Sequence, residues 1–500
     1  MTPADTTQSA RIAALLEAVP RSSFVDGAFL GGSAGLEVLD PATGQALTSV
    51  VDADAAVVGT LALDAAVAAQ EDWARTLPRE RSQILHRAYE LCHERAEDLA
   101  LLMTLEMGKP LAEARGEVTY GAEFLRWFAE QAVRLPGSFR IAPAAAEAIL
   151  TTSRPVGPVL AITPWNFPLS MGTRKIGPAL AAGCTVVLKP ASATPLTSLV
   201  LMEILRDAGV PDGVVNCVVT SNSRGLSATL MADARLRKVS FTGSTAVGRT
   251  LLAQASEHVL RSSMELGGNA PFLVLPSAEM DTAIAAAMPA KFRNNGEACT
   301  AANRFYVHSS RAEEFTTRLR EATEDLVLGP GIDPASTIGP LIDAAALKTV
   351  EELVADAVER GARVLTGGRR ATAEELPAGC ADGFYYLPTV LADVPADARL
   401  TREEIFGPVA PVIVLDEVEE MIRAANHTEF GLMSYVVGAD LAEVTAVAQR
   451  IESGMVAVNL GVASDPSAPF GGVKESGLGR EGGPTGIEEY LETTYVRLPL

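Results

Sequence analysis

The spacing of apolar residues changes along this chain. From Asp52 to about Val133 they recur every three or four residues, as in HRAYELCHERAEDLALLMTLEMG, which predicts amphipathic helices. Short apolar runs then alternate with helical patterns: TVVLKP, VVNCVVT and KVSFTG are each followed by one, the last beginning near Ser244. Alternation of this kind predicts a parallel sheet with crossover helices.

A second alternation begins after MELGGNAPFLVL. Strand-like runs and helical stretches follow in the order RFYVH, RAEEFTTRLREATEDL, AAALKTVEELVADAVERGA, APVIVL, EVEEMIRAAN, MSYVVG and GMVAVNL. These segments predict a second α/β domain. One earlier segment fits neither alternation. Residues 135–158 are bounded by prolines and partly alternate, which predicts a protruding β-hairpin.

Composition limits the functions that these domains can serve. A 500-residue chain with 48% hydrophobic and 21% charged residues can bury a large core, and its length favours two or three domains. The formal net charge of −21 would repel phosphate backbones and anionic membranes, so neither is an expected partner. No segment resembles a signal peptide or a membrane span, and the five cysteines lack CxxC spacing. We therefore expect a reduced, cytoplasmic location and no metal site.

One cysteine has an unusual sequence context. Cys299 lies in KFRNNGEACTAANRF, two residues after Glu297 and close to Arg293 and Arg304. We expect the other four cysteines to be small buried hydrophobic residues, as lone intracellular cysteines usually are. A carboxylate facing the sulfur would oppose thiolate formation, so we expect Glu297 to point away from Cys299.

The segment FTGSTAVGRT offers a place for an anion. It sets Gly243 at a strand end, Ser244 as a helix N-cap and Gly248 in the first turns of the helix, where free backbone N–H groups and the helix dipole favour negative charge. The string nearly matches the P-loop GxxxxGK[ST], but Arg249 replaces the lysine, so we do not expect an NTPase. The alternative is that these glycines serve only a tight turn and close packing.

Seven motifs occur in the order found in a known family. They are TPWNFP (163–168), KPAS (189–192), FTGSTAVG (241–248), ELGGNAP (265–271), NNGEACTAANR (294–304), EEIFGPV (403–409) and PFGGVKESGLGREGG (469–483). From near Asp40 to its C-terminus the chain thus resembles the aldehyde dehydrogenase superfamily. Within it, the chain looks most like the bacterial succinate-semialdehyde dehydrogenases.

The resemblance implies an α/β fold with three parts. A Rossmann-like dinucleotide-binding domain would cover residues 1–134 and 156–266, and a second α/β catalytic domain would cover residues 267–484. A small β oligomerisation arm would comprise residues 135–155 and 485–500. Because an isolated two-stranded hairpin is only marginally stable in water, the arm implies a homodimer or homotetramer.

The resemblance also implies the chemistry, the oxidation of an aldehyde to a carboxylic acid. Cys299 matches the nucleophile, whose addition to the carbonyl gives a thiohemiacetal that can lose hydride and become a thioester. The Asn166 amide and the Cys299 backbone N–H match the donors that stabilise the oxyanion. Glu265 resembles the base that activates water against the thioester. Lys175 and Glu404 match positions that hold the nicotinamide ribose and assist proton movement.

The remaining cofactor positions are also taken from the resemblance. They are Thr163, Pro164, Trp165, Lys189, Ser192, Gly225, Phe241, Gly243, Ser244, Gly248, Leu266 and Phe406, which with Glu404 complete the set. Many NAD-using relatives have a glutamate where Ser192 stands, and its charge would repel a 2′-phosphate. With Ser192 and the nearby Lys189 instead, we favour NADP and keep NAD as the alternative.

Two arginines point to an anionic substrate. Arg174 and Arg293 match positions that point into the aldehyde tunnel of succinate-semialdehyde dehydrogenases, and Ser464 resembles the hydroxyl that completes this site. Guanidinium groups in an apolar tunnel are costly without an anion, so we expect a substrate with a distal carboxylate, foremost succinate semialdehyde. Alternatively, either arginine pairs with an acidic residue of the chain. A general aldehyde dehydrogenase, or one for another ω-carboxy aldehyde such as glutarate semialdehyde, would then remain.

Two other functions stay open. A coenzyme-A-acylating enzyme would pass the thioester to CoA, but such relatives generally lack the base, so Glu265 argues against it. A non-catalytic binding protein of the same fold is opposed by Cys299, Glu265 and Asn166 together. Ala301 stands where several relatives carry a second cysteine, so we expect no disulfide switch beside Cys299.

Overall fold

The computed structural model describes residues 3–500, so the first two residues of the predicted segment 1–134 lie outside the described part. The helices are α1 (Pro3–Ala18), α2 (Ala55–Arg75), α3 (Pro78–Glu94), α4 (Ala96–Met107), α5 (Leu111–Ala132), α6 (Ser170–Ala182), α7 (Pro195–Asp207), α8 (Ser223–Met231), α9 (Thr245–Ala255), α10 (Met280–Phe292), α11 (Ser309–Glu324), α12 (Ala344–Glu359), α13 (Val418–Asn426) and α14 (Leu441–Ala448). The strands are β1 (Phe24–Val25), β2 (Ala28–Phe29), β3 (Ala34–Asp40), β4 (Gln45–Val51), β5 (Ser138–Ile141), β6 (Glu147–Pro155), β7 (Val159–Ile162), β8 (Val186–Lys189), β9 (Val215–Cys217), β10 (Lys238–Thr242), β11 (Arg261–Glu265), β12 (Ala270–Val274), β13 (Ala302–His308), β14 (Arg363–Thr366), β15 (Thr389–Ala392), β16 (Val409–Leu415), β17 (Met433–Val437), β18 (Met455–Val458), β19 (Gly477–Leu478) and β20 (Leu491–Pro499).

The larger sheet has eight strands in the order β19-β11-β10-β7-β8-β9-β1-β2. Strands β7 to β11 are all parallel, which confirms the predicted parallel sheet. The chain first extends the sheet from β7 to β9 and then returns to the other side of β7 with β10 and β11. The loops that leave the carboxyl ends of β7 and β10 therefore flank a crevice, the usual ligand position in such sheets.

The second sheet has seven strands in the order β14-β15-β16-β13-β12-β17-β18. All its pairs are parallel except the edge pair of β14 and β15, which confirms the second α/β unit. Cys299 lies just before β13 and Glu404 just before β16, its parallel neighbour. Because these strands run in the same direction, both side chains are at the same end of the second sheet.

A third sheet confirms the predicted hairpin. β5 and β6 pair antiparallel within residues 135–158, and β20 pairs with β6 from Leu491 opposite Pro155 to Pro499 opposite Glu147. The two segments assigned to the arm thus form one three-stranded sheet. The boundary predicted for the catalytic domain is crossed at one place, because β19 lies within residues 267–484 but pairs with β11 at the edge of the larger sheet.

Helix α6 carries charged residues into the core. Every residue of α6 is buried, including Arg174 and Lys175. Its neighbours are α5 on one side and strands β7 and β8 on the other. These two cations are therefore held beneath the crevice rather than in solvent. Within residues 3–500, no helix combines the length and the apolar character needed to cross a membrane.

Candidate active site

A cavity of about 240 Å³ lies where the crevice of the larger sheet faces the amino ends of β13 and β16. Of the predicted site residues, its walls contain Pro164, Trp165, Asn166, Arg174, Gly243, Ser244, Glu265, Leu266, Cys299, Glu404 and Phe406. These residues come from loops that are far apart in sequence. The structure thus brings the predicted thiol, base, amide and part of the cofactor set together.

The loop before Cys299 has an unusual backbone. Asn294, Asn295 and Gly296 have consecutive positive φ angles of 57°, 60° and 77°. Asparagine and glycine tolerate this left-handed conformation better than other residues. A Cβ added to Gly296 would stand 2.4 Å from the carbonyl of Gly407. The sequence NNG is therefore what allows the loop to turn tightly and present Cys299 to the cavity.

Side-chain hydrogen bonds join this loop to Asn166. The Asn294 amide Nδ2 donates to the Asn166 carbonyl at 3.1 Å and to the Glu297 carbonyl at 2.9 Å. The Asn166 amide Nδ2 also donates to the Glu297 carbonyl, at 3.0 Å. The Asn294 backbone N–H donates to a Glu113 carboxylate oxygen at 2.6 Å. The amide and the thiol are thus fixed relative to each other by buried groups.

A buried ion pair holds the Asn166 loop from the other side. Lys109 Nζ lies 2.5 Å from Glu117 Oε2 and donates to the Asn166 carbonyl at 2.8 Å. Glu117 Oε1 accepts from the backbone N–H groups of Leu169 and Ser170, where α6 begins. Both charged side chains are almost completely buried. Sequence reasoning missed this pair, although charged residues within a largely apolar helical segment were a signal.

The Glu297 carboxylate is directed away from the thiol, as expected. Its Oε1 accepts from the backbone N–H of Ile342 at 3.0 Å, and the side chain is fully buried. Burial raises the pKa of Glu297 well above its usual range, and nearby Asp343 adds to this rise. A group held in this way contributes to loop structure rather than to the charge around Cys299.

The surroundings of Cys299 favour the protonated thiol. Burial, together with the Glu404 and Glu265 carboxylates, raises the pKa of Cys299 to about 12. The Arg174 and Arg293 guanidinium groups oppose the rise. Because the thiolate is the nucleophilic form, the thiol needs a base that can remove its proton.

Glu265 has the properties of such a base. It ends β11 and is 3% exposed, and its Oε2 has no hydrogen-bond partner among residues 3–500. Burial raises the pKa of Glu265 well above its usual range, and the neighbouring Glu481 carboxylate raises it further. A carboxyl group with a raised pKa is a stronger base when ionised.

Lys175 lies behind the base rather than in the cavity wall. Its Nζ is 2.5 Å from Glu481 Oε1 and donates to the Ser240 hydroxyl at 3.0 Å. Glu481 is held by backbone hydrogen bonds to Phe470, a residue that lines the cavity. Glu481 was not assigned from the sequence, although it lies in the motif PFGGVKESGLGREGG.

Glu404 and two aromatic rings close another side of the cavity. Burial raises the pKa of Glu404 to about 8, while the buried Lys291 opposes this rise. The rings of Trp165 and Phe406 meet edge to face, with centroids 5.4 Å apart and an interplanar angle of 82°. Phe406 has a positive φ of 48°, a conformation rare for a bulky residue and often associated with functional sites.

The predicted anion-binding residues gather around Tyr120, which the sequence did not indicate. Arg174 Nη2 donates to the Tyr120 hydroxyl at 2.6 Å. Burial raises the pKa of Tyr120, and Arg174, Arg293 and the Ser464 hydroxyl all oppose this rise. Arg174 also approaches Glu481, with Nε and Oε2 3.4 Å apart. The alternative in which an arginine pairs with the chain's own carboxylate therefore applies in part to Arg174.

The other predicted cofactor residues lie outside the Cys299 cavity. Lys189 and Phe241 line a second cavity, of about 270 Å³, between α8 and α9. Gly225 borders a separate, open depression at the start of α8. The Ser192 hydroxyl donates to the Thr220 carbonyl at 3.0 Å. The structure therefore divides the predicted cofactor set among several neighbouring places.

Thr163 and Gly248 support these walls from behind. Thr163 is buried and donates its backbone N–H to the Lys189 carbonyl at 3.1 Å. A Cβ added to Gly248 would stand 2.5 Å from Leu266 Cδ2, so glycine lets the first turns of α9 pack closely against the end of β11. Their contribution to the site is through packing and the backbone.

The fold and the site together are those of an oxidoreductase, in which a cysteine thiol faces the crevice of a doubly wound parallel sheet. The sequence profile of the Aldehyde dehydrogenase family matches residues 30–496, and the chain belongs to this family.

Similar proteins carry more specific names. The chain is 55% identical to a succinate-semialdehyde dehydrogenase of Paenarthrobacter nicotinovorans over 435 residues, which are 87% of this chain and 95% of that protein. It is 45% identical to the NADP(+) succinate-semialdehyde dehydrogenase of Escherichia coli strain K12, over 96% and 98% of the two chains. The crystal structure of succinate-semialdehyde dehydrogenase from Burkholderia pseudomallei has a TM-score of 0.93 and 42% identity, covering 97% of this chain and 99% of that one.

Proposed function

We propose that this protein oxidises succinate semialdehyde to succinate, with NADP as the hydride acceptor. The observation that carries the proposal is the position of Arg174, which lines the cavity with Cys299 and donates to the Tyr120 hydroxyl at 2.6 Å. Arg293 is a second cation whose charge opposes the raised pKa of both Tyr120 and Cys299. Among the described residues, no carboxylate lies within ion-pair distance of Arg293, and its Nε has no hydrogen-bond partner. A substrate carboxylate would supply the missing negative charge.

The catalytic roles follow from the geometry of the cavity. Glu265 removes the proton of Cys299, whose sulfur adds to the aldehyde carbon. The Asn166 amide uses one N–H for the Glu297 carbonyl and keeps the other for the developing oxyanion, together with the Cys299 backbone N–H. After hydride loss, Glu265 activates the water that hydrolyses the thioester. The Lys175–Glu481 pair lies next to Glu265 and can share the proton.

The residues present fit a dinucleotide. Ser244 caps α9 and leaves backbone N–H groups at the start of that helix for an anion, next to Gly243. Glu404 and Phe406 would stand beside the nicotinamide and its ribose. Lys189 is buried and Ser192 brings no carboxylate, which favours NADP over NAD. When bound, NADP supplies the acceptor for the hydride that leaves the thiohemiacetal.

The division into domains and the assembly belong to the same proposal. Residues 1–134 and 156–266 bind the dinucleotide, and residues 267–484 carry the nucleophile. Phe139 is 62% exposed and Tyr495 is 68% exposed on the third sheet, which gives this arm an apolar surface for a second copy. We infer a homodimer or homotetramer in the cytoplasm. Light scattering at micromolar concentration tests the assembly, and a monomer would contradict it.

The substrate test compares charged and neutral aldehydes of similar length. We expect kcat/KM for succinate semialdehyde to exceed that for butyraldehyde, and glutarate semialdehyde to report the tolerance for chain length. The change Arg293→Ala should lower kcat/KM for the semialdehyde by roughly 30-fold or more and leave butyraldehyde almost unchanged. Arg174→Ala should also harm butyraldehyde, because Arg174 contacts Glu481 as well.

Butyraldehyde is the matched control for folding and for the chemical step. An equal loss toward both aldehydes in the Arg293 variant would contradict the semialdehyde proposal and leave an aldehyde dehydrogenase with another substrate. Similar kcat/KM values for the two aldehydes in the unmodified protein would contradict it directly.

A further inference from the structure

Arg174 faces two different parts of the Cys299 cavity. Its side chain lines the cavity, and its Nη2 donates to the Tyr120 hydroxyl at 2.6 Å, at the end assigned to the substrate carboxylate. Its Nε lies 3.4 Å from Oε2 of Glu481, the carboxylate whose charge acts on Glu265. A single guanidinium therefore lies between the anion-binding end and the catalytic base.

Aromatic rings surround this guanidinium. Its Cζ lies 4.2 Å from the centroid of the Phe470 ring and 5.0 Å from that of the Phe124 ring, and Arg174 is 1% exposed. Solvent screens charges in such surroundings only weakly. A negative charge placed at one end of Arg174 is therefore felt at its other end.

The contact between Arg174 and Glu481 is an incomplete one. Among residues 3–500, neither Arg174 Nε nor Glu481 Oε2 has a hydrogen-bond partner, although both atoms are buried. The other oxygen of Glu481, Oε1, lies 2.5 Å from Lys175 Nζ. Glu481 thus stays anchored by Lys175, and Arg174 remains available to a second anion.

Glu265 is influenced by charges of both signs. Burial raises the pKa of Glu265 well above its usual range, and the Glu481 carboxylate raises it further, while Lys175, Arg174 and Arg480 oppose the rise. The Arg480 guanidinium donates to two backbone carbonyls, and Lys175 is paired with Glu481. Of these three cations, Arg174 is the one that lines the cavity and meets the substrate.

We propose that Arg174 couples substrate recognition to the catalytic base, so that a carboxylate at the far end of the aldehyde makes Glu265 more basic. The negative charge of the substrate offsets the positive charge of Arg174, which otherwise favours the ionised form of Glu265. Glu265 then accepts a proton more readily from the water that attacks the thioester. A neutral aldehyde brings no such charge and leaves the base unchanged. The inference rests on the proposed carboxylate-bearing substrate.

The test measures proton uptake when a substrate analogue binds. Succinamate keeps the distal carboxylate of succinate semialdehyde and has an unreactive amide in place of the aldehyde. It is titrated into the protein saturated with NADP, by calorimetry in two buffers of different ionisation enthalpy, at the midpoint pH of the kcat/KM profile. We expect uptake of about 0.3 to 0.5 proton per site. Because the pKa values of Cys299 and Tyr120 are raised, both groups are already protonated and take up none.

Three variants assign this proton to a residue and a route. Glu265→Gln should bind succinamate with uptake below about 0.1 proton, which separates Glu265 from Glu404, the other carboxyl group in the cavity wall. Arg174→Gln should show the same loss at saturating succinamate. The matched control is Arg293→Ala, which removes an equal charge from an arginine that forms no ion pair with Glu481 within residues 3–500. It should bind succinamate more weakly and keep the uptake.

The outcomes separate this coupling from the proposed function. Binding of succinamate without proton uptake, or uptake that persists in Arg174→Gln or Glu265→Gln, would overturn the coupling and leave the proposed substrate intact. Loss of the uptake in Arg293→Ala at saturation would overturn the assignment of the route to Arg174. Failure of succinamate to bind the unmodified protein would contradict the carboxylate site itself, and the coupling with it.

Discussion

The surroundings of Cys299 and the cavity between α8 and α9 differ in whether their buried lysines form ion pairs. Around Cys299, Lys109 is paired with Glu117 and Lys175 with Glu481. In the other cavity, Lys189 has no partner within residues 3–500. A charge removed from water must be compensated, either by the chain itself or by something that the chain binds.

The difference separates two uses of a cation. The paired lysines fix backbone groups: Lys109 donates to the Asn166 carbonyl and thereby helps to orient the loop that faces the thiol. The Lys189 side chain holds no other group among residues 3–500 and is available to a ligand. Arg293 is an exception near Cys299, because among the described residues no carboxylate lies within ion-pair distance of it and its Nε has no hydrogen-bond partner. For that reason we assign it to the substrate.

The largest expected effect comes from removing the thiol at the centre of the paired region. Cys299→Ala should lower multiple-turnover oxidation by at least about 1,000-fold, while NADPH binding in the other cavity remains, because a small side chain contributes little packing. Absorbance of the reduced nicotinamide follows the activity. The matched control is Cys217→Ala, a fully buried cysteine in β9, which should keep its activity. Turnover at the normal rate in the Cys299 variant would refute the nucleophile.

Glu265→Gln should separate the two half-reactions at the same centre. The variant should release at most a single burst of reduced cofactor and then stall, with steady-state turnover reduced about 100-fold to 10,000-fold. In the unmodified protein, kcat/KM should increase with pH, because the pKa of Glu265 is raised and Glu265 must be ionised before it can take the proton of Cys299. A profile that falls between pH 6 and pH 9 would argue against this base.

Lys109→Met tests whether the Lys109–Glu117 ion pair positions the Asn166 loop. The change leaves Glu117 buried without its cation, so the free energy of unfolding should fall by about 3 to 5 kcal/mol. Adding Glu117→Gln should recover part of this stability, measured by urea unfolding. If Lys109 positions Asn166, kcat of the double variant should stay about tenfold low with KM little changed, since the donor to the Asn166 carbonyl is still missing. Full recovery of kcat in the double variant would show that Lys109 contributes to stability and does not position Asn166.

The smallest effect concerns the unpaired region. Ser192→Glu would place a carboxylate near Lys189 and give this buried lysine an ion-pair partner. We expect kcat/KM for NADP to fall roughly tenfold while the value for NAD holds or rises, since a carboxylate repels a 2′-phosphate and accepts from ribose hydroxyls. An unchanged ratio between the two dinucleotides would show that Ser192 does not lie near the ribose.

Local sequence patterns were sufficient to predict the two main sheets. Alternating strands and helices predicted them because burial on both faces gives parallel strands their continuous apolar runs, as in β8 and β10. Motifs also predicted most of the Cys299 cavity. The pair Lys175–Glu481 was not predictable, because it joins residues 306 positions apart and its partner choice depends on packing. The pair Lys109–Glu117 joins residues only 8 positions apart, but the charges alone did not show that the two side chains would meet in the core.

Other features lay beyond local patterns for related reasons. Tyr120 belongs to α5, where an aromatic residue is ordinarily core, and only the approach of Arg174 marks it as part of the site. The edge strand β19 has two residues, too short to leave a period in the sequence.

The short strand β19 connects Glu265 to the second α/β unit a second time. The chain passes from β11 directly into the second α/β unit, and it returns at β19 to pair Gly477 with Glu265 and Leu478 with Met264. The Leu266 N–H also donates to the Ser476 carbonyl at 2.9 Å. The end of β11 is therefore held by backbone hydrogen bonds to residues 476–478, which the chain brings back from the second α/β unit. The backbone that carries the Glu265 carboxylate is thus fixed on both sides of the residue.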